Sequence, residues 1–237
     1  MNNGMRKIFA PIAAVTLAAL VMSCGFGKKP PTRNYYIISY TPENRVAQAA
    51  RGPYQYSLQI QRFEIQRIYS RQNIVYRYTP QELKWYEYQQ WAVRPDYMFT
   101  DLMYKHFVAS GIFNRVGTEF LETRPDFRLE GTVDALERLD AGDIVFAHLA
   151  MSLKMVRTVD GLQIWETSFD DRKQVYQKEM VYTVLALSQI MQTRMNAAIA
   201  GLDSLLASPD APRVLPSNGS PIAPADSTLK KPDAKGY

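Results

Sequence analysis

The feature that most constrains this chain is a long stretch of period-two alternation across residues 127–169. Phe127, Leu129, Val133 and Ala135 alternate with Arg128, Glu130, Thr132 and Asp134. Val145, Ala147, Leu149, Met151, Leu153 and Met155 then recur at every second position. Side chains on a strand point alternately to opposite faces, so this spacing predicts strands with one apolar face. Asp140-Ala141-Gly142-Asp143 reads as a turn, and Asp160-Gly161 as a hairpin from which 162–169 returns. Three antiparallel strands with one apolar face need a second layer to cover that face.

Two helices can supply the cover. Pro95 opens the first, at a position where a missing N–H costs nothing, and Asp96 sits where the helix dipole favours an acid. Phe99, Leu102, Met103, His106 and Phe107 follow at helical spacing, and Gly111 reads as the C-cap glycine. The second helix is expected over about 176–206. There Val184, Leu187, Met191, Met195, Ala198, Leu202 and Leu205 form one apolar stripe. Further strands are expected at 35–40, at 54–61, where Tyr54, Tyr56, Leu58 and Ile60 alternate with polar residues, at 73–78 and at 113–120. Residues 83–88 fit a strand or a short helix equally. The expected fold class is therefore α+β: a single mixed or antiparallel β-sheet with two main helices packed on one face and a wetter opposite face.

The ends of the chain read differently. Arg6 and Lys7 precede an uncharged apolar run over residues 8–22, too short to cross a bilayer as a helix of about 20 residues. It ends in Val21-Met22-Ser23-Cys24, which resembles the lipobox of a lipoprotein signal peptide. Cys24 is the single cysteine of the chain, and acylation accounts for an unpaired thiol in an exported protein. Residues 1–23 are thus expected to be a lipoprotein signal peptide, and 24–34 the acylated cysteine and a flexible tether. Residues 35–207 are read as the folded domain. Residues 208–237, with six prolines from Pro209 to Pro232 and few large apolar residues, are read as a disordered tail.

Charge excludes one class of partner. The chain holds 28 Lys and Arg against 23 Asp and Glu; without Arg6 and Lys7 the balance is 26 against 23, a net of +3. No basic stripe is visible, so nucleic acid is not an expected partner. No catalytic constellation emerges either. His106 and His148 are isolated and read as satisfied histidines of the core or its boundary. The pairs Asp140/Asp143 and Asp170/Asp171 fall in expected turns, where Asp is favoured for backbone reasons. Nothing resembles a nucleophile elbow, a phosphate loop or a dinucleotide motif. With one thiol and two scattered histidines, no metal site and no cofactor are expected.

Aromatic residues are more informative. The chain has 15 Tyr, concentrated between Tyr35 and Tyr104. Tyr offers rigid contact area with a polar tip and favours interfaces, but it also paves sheets. Tyr54, Tyr56, Tyr76, Tyr78, Tyr86 and Tyr88 are the candidate interface residues; Trp91 and Trp165 sit where core packing would explain them.

One ordered set of features resembles a known family. Cys24 is followed by Tyr35-Tyr36 and an aliphatic strand, then by Ile74-Val75-Tyr76-Arg77-Tyr78, Glu82-Leu83, Tyr86 and Tyr88. Trp91-Ala92 precedes Pro95 and its helix, which ends at Gly111-Ile112-Phe113; Leu129-Glu130-Gly131 and the strands of 147–155 and Trp165 complete the set. This order resembles the auxiliary lipoprotein component of ABC-type transport systems, the PqiC-like lipoproteins. The resemblance implies a non-catalytic subunit in the envelope of a Gram-negative bacterium. It would be anchored by acyl chains on Cys24 and partnered by an MCE-domain protein of a permease–ATPase complex that moves lipids. Gly25, rather than Asp, after the cysteine leads us to expect the outer membrane, facing the periplasm. The resemblance leaves self-association open. The tail after Ala207 lies outside the family pattern. A similar small α+β layout also suits an outer-membrane lipoprotein that activates a cell-wall synthase, and that alternative stays open on sequence alone.

Overall fold

The computed structural model describes residues 31–43 and 53–208. The expected signal peptide, Cys24, most of the expected tether and the tail beyond Ser208 lie outside the described residues. In chain order the elements are β1 (Asn34–Tyr36), β2 (Tyr54–Ile60), β3 (Glu64–Ile65), a single 3-10 turn at Arg67–Tyr69, β4 (Asn73–Thr79), β5 (Glu82–Trp91), α1 (Pro95–Ser110), β6 (Phe113–Gly117), β7 (Phe127–Ala141), β8 (Ile144–Arg157), β9 (Gln163–Val175) and α2 (Met180–Ala207). The fold is α+β, as the alternation requires.

Strand β7 organises the sheet. Along one edge it pairs antiparallel with β8 from Ala141↔Ile144 to Phe127↔Arg157, and β8 pairs in turn with β9. Its other edge is shared by three short strands, all parallel to it. Strand β2 lies at Phe127–Leu129, β3 at Thr132 and Val133, and β4 at 137–139. Strand β5 extends the sheet antiparallel to β4, β1 lies parallel to β5, and β6 lies parallel to β2. Gly142 and Gly161 close the two hairpins of the β7–β8–β9 meander with φ of 68° and 73°, a region that only glycine enters without strain.

Both helices cover the same face. The ring of Phe107 in α1 meets Phe113, and Phe113 meets Phe127 of β7. Strand β8 pairs Arg157 with Phe127, and Met155, two residues along, pairs with Trp165 of β9, whose indole lies against α2 at Gly201. Helix α1 begins with Pro95 at its first turn and ends on Gly111 in the left-handed conformation, φ 67°. Gly131 serves a different purpose. Its Cβ position is occupied by the Phe63 ring, whose nearest carbon would be 2.2 Å away, so the β2–β3 connection lies directly on the β7 backbone.

Several boundaries differ from the sequence reading. Residues 83–88 are strand, as part of β5. Strand β1 ends at Tyr36 and β6 ends at Gly117, both short of the expected limits. Asp170 and Asp171 are not in a turn: β9 runs through them to Val175, because Asp170 pairs with His148 and Asp171 with Arg194 of α2. Helix α2 begins at Met180 rather than near Tyr176. The Arg138 guanidinium binds the Lys178 carbonyl at 2.6 Å, and Glu179 remains extended at ψ 139°. Strand β3 and the 3-10 turn after it carried no periodic signal.

Candidate functional site

The structure divides the six candidate tyrosines. Tyr76, Tyr78 and Tyr86 form an aromatic ladder across β4 and β5. The Tyr76 and Tyr86 rings are 4.3 Å apart, and Tyr78 meets Tyr76 edge-on at 5.4 Å and 89°. Lys84 places its ammonium 5.3 Å from the Tyr78 ring. Tyr78 is 51 % exposed and ends the ladder in solvent. Tyr86 is half-buried, and burial pushes its phenol up to about 12 against the opposing pull of Arg138, so it remains a neutral donor. Tyr88 is half-buried further along β5. Because Arg138 also holds the Lys178 carbonyl, the ladder lies beside the start of α2.

Tyr54 and Tyr56 belong elsewhere. The Tyr54 hydroxyl donates to the carbonyl and carboxylate of Asp203, at 3.1 and 2.8 Å. Asp203 lies 23 residues beyond Met180, about 35 Å along the helix at 1.5 Å per residue. Tyr56 packs edge-on against Phe127 at 5.4 Å. Trp91 is buried in the core and Trp165 is half-buried against α2, where packing explains both.

A second feature lies on the face away from the helices and was not anticipated. A β-bulge at Asp134 separates Val133↔Met151 from Ala135↔Ala150 and reverses the parity of β7 beyond it. Leu136 then faces the core, and Glu137 pairs in register with His148 on the opposite face. Glu137, 3 % exposed, accepts from Tyr69 Oη at 2.9 Å and from Arg77 Nε at 3.1 Å. His148 Nδ1 lies 3.0 Å from Glu137, and its Nε2 lies 2.8 Å from Asp170. Burial alone would raise the Glu137 carboxyl; the bonds from His148, Tyr69 and Arg77 outweigh it and hold the group below its ordinary value. Burial, reinforced by the Glu137 charge, pushes the Tyr69 phenol up to about 12. These groups line one side of a cavity of about 540 Å³. Both His148 ring nitrogens face carboxylates. Among the described residues, no three His, Cys, Asp or Glu converge as a metal site.

His106 is the simpler case. It is buried in α1, with Nδ1 3.0 Å from Tyr40 Oη, and burial lowers its pKa to about 4. It is a neutral structural histidine at pH 7.

A curled sheet covered by two helices on one face, with an aromatic ladder that ends in solvent and a buried polar chain on the opposite face, defines an α+β module. The chain belongs to the ABC-type transport auxiliary lipoprotein component family, whose model matches residues 36–200. No curated protein matches the sequence. Among solved structures, a Xanthomonas campestris protein of family DUF330 shares 20 % identity and a TM-score of 0.61 over 72 % of this chain and 99 % of its own. An uncharacterized protein shares 13 % identity and a TM-score of 0.55 over 73 % of this chain and 99 % of its own. Both similarities are of fold.

Proposed function

We propose that this protein is a non-catalytic, lipid-anchored subunit of an ABC-type lipid transport system, acylated on Cys24 and held at the outer membrane facing the periplasm. It works by docking to an MCE-domain protein. Membership of the auxiliary lipoprotein family supports the transport role. The observation that carries the docking role is the Tyr76–Tyr78–Tyr86 ladder. Tyr76 contacts both Tyr86 and Tyr78, so the three phenols present contact area that loses little conformational entropy on binding, and Tyr78 stands out of the sheet as an anchor. Tyr88 extends the same strand, whereas Tyr54 and Tyr56 are held by intramolecular partners. The polar chain around Glu137 rigidifies the opposite face and takes no part in docking.

Affinity purification of the full chain from detergent-solubilised envelopes tests this reading. An MCE-domain protein should co-purify with it, and Cys24→Ala should remove the chain from the outer-membrane fraction. Recovery of a penicillin-binding protein instead would favour the cell-wall alternative, and recovery of neither would refute docking.

A further inference from the structure

Strand β9 is the outer strand of the meander. Among the described residues its 13 positions pair only with β8, which leaves its other edge open. The open edge can be read residue by residue. The Arg157 N–H donates to the Leu162 carbonyl, so alternation along β8 also turns Met155 toward β9. Trp165 lies opposite Met155, so the odd residues of β9 from 165 to 175 point their N–H and C=O groups at β8. The even residues, 166 to 174, point theirs outward. Such a row of open backbone donors and acceptors is a template for another strand.

The side chains indicate which strand fits. Asp171 binds Arg194 of α2, so the odd positions face the helices; Asp170 binds His148, so the even positions face the other way. Residues 169–175 read Phe-Asp-Asp-Arg-Lys-Gln-Val, two acids followed by two bases. Such an order complements itself when reversed. Two copies joined edge to edge about a twofold axis run antiparallel and keep their helix sides together, so odd residues meet odd and even meet even. Centring the axis on Arg172 sets Asp171 opposite Lys173 of the second copy and Phe169 opposite its Val175, and each pair occurs twice. Asp170 meets Gln174, and the two exposed Arg172 side chains are flanked diagonally by both Asp170 carboxylates. Tyr176, 87 % exposed just past the strand, falls opposite Ser168. Centring on Asp171 instead would set that side chain, 24 % exposed, against itself and Phe169 against Lys173.

We propose that β9 is a self-association edge, through which residues 169–175 of two copies of this chain pair antiparallel and join their sheets into one. Charge selects a second copy as the occupant. The acids and bases that guard this edge against an arbitrary strand find opposite charges when the strand is its own twofold mate. Strands β7 and β8 separate β9 from β4, so the pairing leaves the Tyr76–Tyr78–Tyr86 ladder open. The inference is independent of what the ladder binds.

The test uses the full chain in detergent, where sedimentation should give a dimer. Arg172→Cys places two thiols opposite each other with Cα atoms about 5.5 Å apart, inside the span of about 4.4–6.8 Å that a disulfide bridges. Ser168→Cys serves as the comparison: it lies four residues from the axis, so its two copies stand about 26 Å apart at about 3.3 Å per residue. We expect mild oxidation to give at least about tenfold more covalent dimer from Arg172→Cys than from Ser168→Cys. Gln174→Pro removes an outward N–H and leaves the bonds to β8 whole, so it should yield a monomer with an unchanged circular dichroism spectrum. If that variant fails to fold, Lys173→Glu reads the same edge: it turns both Asp171 pairs repulsive and should weaken the dimer at least about tenfold. A monomeric unsubstituted chain would overturn the proposal, as would a dimer that Arg172→Cys and Ser168→Cys cross-link equally. So would a monomeric chain from which Gln174→Pro removes a co-purifying protein, a result that would assign the edge to that protein's strand instead.

Discussion

Both faces of the β7–β8 hairpin hold buried residues, but different forces hold them. On the helix side, Leu129, Val133, Leu149, Met151 and Leu153 are nearly inaccessible and belong to one apolar cluster with residues of α1 and α2. On the other side, Glu137 and His148 are also buried, and hydrogen bonds to Tyr69, Arg77, Asp170 and each other hold them. An apolar face loses stability in proportion to the volume removed and can partly repack. A buried charge network fails abruptly, because removing one member strands the others without solvent or partner. Depth of burial alone therefore does not say how a region will respond to change.

The largest expected effect follows from that contrast. Glu137→Ala leaves His148 and Arg77 without their shared carboxylate and should cost about 4 kcal/mol in urea unfolding. Asp170→Ala removes the other carboxylate on His148, but Asp170 is 63 % exposed, so the loss should be under about 1 kcal/mol. Equal losses would show that the network is not differentially buried, and would erase the distinction between the faces.

Acid should separate the two histidine environments next. Burial lowers His106 from 6.5 to about 4, so between those values the unfolded chain takes a proton that the folded chain refuses. Stability should fall as pH drops through this window, by about 3 kcal/mol in all, and this contribution should level off below pH 4. Glu137 is also held below its ordinary value, so its contribution is present at neutral pH and is lost as pH falls below about 4.5. His106→Phe should flatten the upper window and leave the lower one. A variant that still loses stability between pH 6.5 and 4.5 would contradict this assignment.

A smaller effect is expected on the apolar face, at Gly131. An alanine Cβ there would collide with the Phe63 ring, and moving that ring should cost about 2 kcal/mol. Pairing Gly131→Ala with Phe63→Leu should recover part of the loss in thermal unfolding. If the double variant is no more stable than the single one, the contact does not fix the β2–β3 connection.

The helix-side face was legible in the sequence because its signals are periodic and local. Phe127 to Val133 alternate cleanly, Val145 to Met155 do the same, Pro95 and Gly111 bracket α1, and the α2 stripe steps by three and four. The opposite face was not legible, for a specific reason. Continuing the alternation past Asp134 puts Glu137 in the core and Leu136 outside; the bulge at Asp134 reverses both. The adjacent apolar pair Ala135-Leu136, breaking an otherwise strict alternation, was the only local sign of it. Tyr69 and Arg77 reach Glu137 from segments about 60 residues earlier in the chain, and no short-range pattern reports that approach. The same limit applies to the tyrosines. Their number suggested an interface, but only tertiary structure groups Tyr76, Tyr78 and Tyr86 and sends Tyr54 to the far end of α2.

That division gives the most direct test of the account, in which docking is aromatic contact through one part of the sheet. Full-length protein carrying Tyr78→Ala or Tyr54→Phe should be titrated against the MCE-domain protein that co-purifies with it, with circular dichroism confirming that both variants fold. The account predicts at least a tenfold weaker Kd for Tyr78→Ala, the loss expected of a hot-spot aromatic, and an unchanged Kd for Tyr54→Phe, whose hydroxyl serves Asp203. Unchanged binding by Tyr78→Ala, or equal weakening by both variants, would contradict it.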